Sequence, residues 1–213
     1  MNLLECLVGL ALCLVLLNPL LKTSADLVAK QIQYEKTQAL IADGDRALEL
    51  IGRAIRMAGY RNISASAASS KKVDAKQFIL IEKKSGYRGS DFLRTHHGLS
   101  GQTDLDCIGN IITSDRTKHQ LAYQGFLVER QASVPKGVKV NGGSLMCQSL
   151  DRQGRIQNTT LMNGVNVFSI EEIASSHAVR GEGPKLFRVK LQMTDGRSLY
   201  VDLERTFVTR NLL

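Results

Sequence analysis

The 213 residues contain no tryptophan, only 5% aromatic residues, three prolines and four histidines. His96, His97, His119 and His177 stand at none of the short helical or knuckle spacings from Cys, Asp or Glu that zinc requires, so no metal site is expected. No glycine-rich phosphate loop, nucleophile elbow or pair of carboxylates in an apolar frame is present, and the chain is expected to be neither an enzyme nor a cofactor carrier. Ser69-Ser70-Lys71-Lys72 and Ser133-Val134-Pro135-Lys136 both spell Ser-x-x-Lys. In acyl enzymes that spacing sets a nucleophile beside its base on a helical turn, but here both lie in loop sequence, where chance accounts for them. There is no internal repeat.

Acidic charge is also scarce relative to basic: the formal net charge is +8 and the sequence pI about 9.5. A basic surface suits nucleic acid, anionic lipid or an acidic protein. The cations are scattered as pairs such as Lys71-Lys72 and Lys83-Lys84, with no aromatic platform beside them. Nucleic acid is thus a partner that the charge admits and nothing else supports.

What the chain does have is one long apolar run. From Leu3 to Leu21 only Glu5 and Asn18 are neither apolar nor small. At about 1.5 Å per residue such a helix roughly spans a hydrocarbon core of about 30 Å, which predicts a membrane segment. Glu5 is out of place in it. A carboxylate at that depth costs about 2.5 to 3.5 kcal/mol and calls for a cation, the nearest being the amino terminus at Met1 or that of a neighbouring copy. Pro19 lacks an amide proton and crowds the preceding turn, so a bend is expected near the membrane edge.

Past Lys22 the helix is expected to continue. Leu40, Ala47, Leu48, Ile51, Ile55 and Ala58 recur at three- and four-residue spacings, with Asp43, Asp45, Arg46, Glu49, Arg53 and Arg56 on other faces, and Gly59 is its natural stop. Residues 62–76 are Ser, Ala and Lys with little to bury, and read as a loop. Phe78 to Ile81 predicts a strand, as do, more weakly, Ile108 to Ile112 and Phe126 to Glu129; Asp91 to His97 reads as a further strand running into a turn. The clearest β signal is last. Phe187, Val189, Leu191 and Met193, then Leu199, Val201 and Leu203, alternate with polar residues around Asp195-Gly196, predicting a hairpin with one buried face; Val165, Val167 and Ser169 suggest one strand more. The fold class is α+β, with the stripe at Leu48, Ile51 and Ile55 expected to lie on that hairpin.

An apolar N-terminal helix with Glu at position 5 that continues into an amphipathic helix resembles the type IV pilin-like class. Arg46 through Tyr60, Asp106-Cys107, Leu145-Met146-Cys147, Asn163-Gly164-Val165 with Phe168, and Arg210-Asn211 are similar to the sparse pattern of PilW-type minor pilins, a family close to the J-type minor pseudopilins of type II secretion. No basic leader ending in Gly precedes Met1; Glu5 falls on the family's position if the numbering starts at the cut made by prepilin peptidase, the alternative being that the leader is absent. The resemblance implies an N-methylated Met1 and a single-pass inner-membrane protein with a periplasmic C-terminal domain, carried into the pilus on assembly. It also implies the assembly platform, other minor pilins and the major pilin as partners. The layout expected is a transmembrane half-helix at 1–21, an amphipathic half at 22–60 and a β-sheet domain at 61–213. The function implied is a tip-proximal subunit that helps to prime pilus assembly, with adhesion or DNA uptake as further roles; a pseudopilin of a secretion system is the alternative, separable by the neighbouring genes.

Cys6 and Cys13 sit seven apart in the apolar helix and read as packing residues. If the anchor exports the remainder to an oxidising compartment, Cys107 and Cys147 are expected to pair; in a cytosolic protein they would be free thiols.

Overall fold

The computed structural model describes residues 2–61, 78–118, 120–132, 134–135, 137–138, 140–173 and 184–211. Met1, the expected loop at 62–76, His119, His177 and both Ser-x-x-Lys matches lie outside them in whole or part. The chain divides into two compact units, Met1–Ala39 and Leu40–Leu213.

The first unit is helical, within α1 (Leu3–Met57). Every residue from Asn2 to Lys36 is exposed, the leucines included, with Leu14 at 63% and Leu20 at 64%. Uncovered leucines along several turns place no face of this stretch in a protein core, and the helix is long and apolar enough to cross a membrane once.

The second unit joins the end of α1 to a seven-stranded antiparallel sheet: β1 (Ile79–Glu82), β2 (Phe92–Gly98), β3 (Leu121–Glu129), β4 (Gly143–Leu150), β5 (Ile156–Ile173), β6 (Leu186–Thr194) and β7 (Tyr200–Val208). Each strand pairs with the next in sequence, so the sheet is a meander. Helix residues Gly44, Ala47, Leu48, Ile51, Gly52, Ala54 and Ile55 are buried and share one core with Leu93, Phe126, Val128, Leu145, Cys147, Phe168, Ile170, Phe187, Val189, Leu191, Met193 and Phe207. Full burial of a leucine or isoleucine is worth about 1.5–3 kcal/mol, so Leu48, Ile51 and Ile55 together anchor this layer. The expected stripe is present, and two glycines extend it. A Cβ on Gly44 would collide with Leu203 and one on Gly52 with the Phe207 ring, so these glycines let the helix lie close over β6 and β7.

The helix end is fastened to both ends of the sheet domain. Gly59 takes φ +80°, its amide donates to the His96 carbonyl at 3.0 Å, and the Gly98 amide donates to the Tyr60 carbonyl at 2.6 Å. From the far end of the chain, Asn211 Nδ2 donates to the Arg56 carbonyl at 3.1 Å, satisfying one of the acceptors that a helix C-terminus leaves open.

The predicted final hairpin is β6 and β7, from Thr194 opposite Tyr200 to Leu186 opposite Val208. Its buried face is Phe187, Val189, Leu191 and Met193 on β6; on edge strand β7 Val201 and Leu203 are only partly buried, and Phe207 is the buried residue. The strand suggested by Val165 and Val167 is the later part of an 18-residue strand. A register shift between Val165 and Val167 reverses the alternation there, so Phe168 and Ile170 face the core. Gly164 sits next to this shift at φ +80°, where a Cβ would lie 2.6 Å from the Thr194 carbonyl oxygen; both conditions call for glycine. The strand expected at Ile108 to Ile112 is not there. The Asp106 carboxylate accepts from the Ile108 amide at 3.0 Å and the Asn110 amide at 2.8 Å, and Gly109 takes φ +91°, so the segment curls into a turn with a single bridge between Leu105 and Ile111.

Gly52→Val should destabilise the second unit by about 1–3 kcal/mol through overpacking against Phe207. In a Phe207→Ala background the same substitution should cost much less. Thermal unfolding of the four-member cycle measures this; equal penalties in both backgrounds would show that the helix does not seat on that ring.

Candidate functional site

Three places gather polar or covalent ties, and the first two hold the site residues singled out from the sequence. The first is the start of α1. The Asn2 backbone amide donates to Glu5 Oε2 at 3.1 Å, and the Asn2 carbonyl accepts the Glu5 and Cys6 amides at 3.0 and 3.4 Å. Asn2 is thus the cap and Glu5 the third helical residue, whose carboxylate reaches back as in a capping box; a negative group there also complements the positive end of the helix dipole. The Asn-x-x-Glu spacing carries that signal, and sequence reasoning missed it. Met1, the expected partner of Glu5, is outside the described residues. Pro19 lies inside α1, where it leaves the Val15 carbonyl without its usual donor.

The second place is the loop between β2 and β3. Cys107 and Cys147 are joined by a disulfide, Cα to Cα 6.1 Å, closing 40 residues and tying this loop to β4; Cys6 and Cys13 are free and exposed. Beside it Arg116 Nη2 pairs with Asp106 Oδ2 at 2.9 Å, the Asp106 side chain being fully buried. The guanidinium also donates through Nε to the Leu150 carbonyl and through Nη1 to the Ile111 carbonyl, both at 2.8 Å. A buried carboxylate accepting from two amides and a guanidinium is well satisfied and rigidifies its loop. The disulfide and this ion pair therefore hold one loop at two points.

The third is the hairpin turn from Glu82 to Asp91. Asp91 accepts from the Ile170 amide at 2.8 Å, the Lys84 amide at 3.0 Å and Lys83 Nζ at 2.9 Å. Lys83 Nζ also donates to the Ile170 carbonyl, and Ser90 Oγ accepts the Phe168 amide at 3.2 Å. Burial alone would raise the Asp91 carboxyl, but these bonds and the Lys83 charge outweigh it and hold Asp91 below its ordinary value of 3.8. The turn thereby closes over β5. Nothing in the sequence pairs Asp91 with Ile170, which lies 79 residues away.

Of the histidines, His97 is buried and its Nδ1 has no hydrogen-bond partner. Burial lowers its pKa below the ordinary 6.5, Asp104 opposes this, and Arg53 and His96 add to it. Among the described residues no three His, Cys, Asp or Glu side chains gather as metal ligands would.

Compared with protein-family models, with curated proteins and with solved structures, the chain matches none.

Two outcomes follow from this geometry. Cys107→Ser should lower unfolding stability by about 4 kcal/mol on the chain-entropy estimate for a 40-residue loop, and reduce the amount of protein in cells. Peptide mapping without reductant, with both thiols found alkylated in the native protein, would contradict it. For His97 the unfolded chain takes up a proton near pH 6.5 that the folded chain resists, so stability is full above pH 6.5 and falls as pH drops below it. In urea titrations at stepped pH, His97→Gln should flatten that decline; an unchanged slope would remove His97 as its source.

Proposed function

We propose that the chain is a PilW-type minor pilin, a non-enzymatic subunit held in the inner membrane by α1 and transferred to the tip region of a type IV pilus, where it helps to prime assembly. The observation that carries this reading is the pairing within one chain of an uncovered apolar helix, bearing a single carboxylate in its first turn, with a disulfide-tied antiparallel sheet on which the end of that helix is packed. A plain membrane anchor needs no acid at that depth. On this reading the apolar stretches of neighbouring subunits form a core nearly free of water, and Glu5 meets an amino terminus there. The pairing would supply register as well as charge balance, because a slipped subunit leaves both groups unpaired. The periplasm supplies the oxidising surroundings in which Cys107 and Cys147 join. Other minor pilins, the major pilin and the assembly platform are the partners, with prepilin peptidase acting on the precursor; adhesion and DNA uptake are roles such a subunit would share.

The test separates the capping bond from the charge. Glu5→Leu removes both, whereas Glu5→Gln keeps an acceptor for the Asn2 amide and removes only the charge. Both variants should reach the membrane at normal abundance and yield few pili. Normal piliation in the Glu5→Gln strain would reduce Glu5 to a helix cap and overturn the assembly role, and loss of either protein from the membrane would assign Glu5 to insertion.

A further inference from the structure

The face of the sheet turned away from α1 carries a cleft of about 350 Å³ lined by Arg94, His96, Lys118, Tyr123, Leu150 and Ile156 among others. The register assembles it. His96 lies opposite Tyr123 and Leu150 opposite Ile156, which sets a row of ring and apolar side chains across four strands. The His96 ring meets Tyr123 edge-on at 5.3 Å and 68°. The Tyr123 hydroxyl donates to Gln148 Oε1 at 2.6 Å, which fixes the ring. Arg94 is stacked over Phe92 at 5.2 Å and over Tyr123 at 5.8 Å, so the guanidinium is already oriented. Gly125 makes room for this: a Cβ there would lie 2.9 Å from Gln148 Oε1 and 3.1 Å from the Phe92 ring.

Charge and exposure say what fits. Among the described residues the lining includes two permanent cations, Arg94 and Lys118, and no carboxylate. Glu82 Oε1 lies 3.6 Å from Arg94 Nη2, a partly exposed ion pair. Lys118 is exposed and has no ion-pair partner among the described residues, and its backbone is fixed by paired hydrogen bonds with Leu121, both at 3.0 Å. Ile156 stands at the rim, 55% exposed, an apolar side chain beside two positive charges. The larger groove across the β4–β5 turn differs, having polar walls, with its Asp151 already held by Arg155.

We infer that this cleft binds a small organic anion, a carboxylate carried on a compact apolar ring, with the carboxylate between Arg94 and Lys118 and the ring over Tyr123, Leu150 and Ile156. Its volume lies at the small end of ligand pockets, about 300–1,000 Å³, which suits one ring rather than a polymer. A planar guanidinium suits a carboxylate because two parallel N–H donors match its two oxygens. The ring contributes by covering apolar surface now open to water.

The full chain in zwitterionic phosphatidylcholine nanodiscs, with empty nanodiscs subtracted, tests this by saturation-transfer NMR with phenylacetate as the probe. Phenylacetate should bind saturably, and Lys118→Ala and Ile156→Gln should each raise its Kd roughly threefold to fivefold, as expected for one exposed contact. Lys30→Ala removes the same charge elsewhere and should leave the Kd unchanged. Benzyl alcohol binding as tightly as phenylacetate would mean an apolar patch without anion recognition. Inorganic phosphate competing equally well would mean a counter-ion site without ring recognition. Either result, or a Kd indifferent to Lys118→Ala, would overturn the inference.

Discussion

The second unit depends on how closely the end of α1 approaches β6 and β7. Gly44 under Leu203 and Gly52 under Phe207 remove the two side chains that would hold helix and sheet apart, and that approach brings Leu48, Ile51 and Ile55 out of water. A glycine in a helix interior is destabilising by roughly 0.5–1 kcal/mol relative to alanine, and burial of the neighbouring isoleucines outweighs it. Arg205 adds a polar seam at the margin, pairing with Asp45 at 3.0 Å and reaching Glu49 at 3.8 Å. Half-exposed pairs of this kind contribute little energy, but they favour one register of the helix over β7.

Away from the helix, order comes from polar residues that satisfy backbone groups. Asp91 gathers the turn between β1 and β2 onto β5, Asp106 curls the long loop between β2 and β3, and Asp195 Oδ1 accepts the Arg197 and Leu199 amides in the last turn. In each case a short carboxylate takes amide protons that the sheet leaves open. Only the longest of these loops also carries the disulfide, and it is the one with most chain entropy to remove.

The parts legible in the sequence were those governed by periodicity. The helical stripe and the alternating β6 residues follow the face they bury, whereas β1 showed as a short apolar run and β3 only in its last four residues, Phe126 to Glu129. β4 was not legible, because its inward positions, Leu145, Cys147 and Ser149, include a serine and a cysteine that are not obvious core residues. The first half of β5 was missed for the opposite reason: Ile156 to Thr160 buries almost nothing and holds its shape by pairing with β4. Ile108 to Ile112 misled because an apolar run carries no notice that the preceding aspartate will claim its amides. The cleft around Arg94 and Lys118 was illegible too, since its lining residues come from four strands and from the loops before β3 and β5, which only the register brings together.

A meander whose strands pair in chain order has a bearing on how the molecule is made. Each new strand finds its partner already present, so the sheet can grow as the chain emerges, with little search through distant pairings. The stripe on α1 is different: it is made before every strand of the sheet, yet Leu203 and Phe207, which cover its glycines, and Asn211, which caps its last turn, follow β6. Until β7 is made, the part of the helix around Gly44 and Gly52 therefore lacks its cover. A chain stalled before β7 would expose that part together with the raw edge of β6, the combination on which proteases and aggregation act.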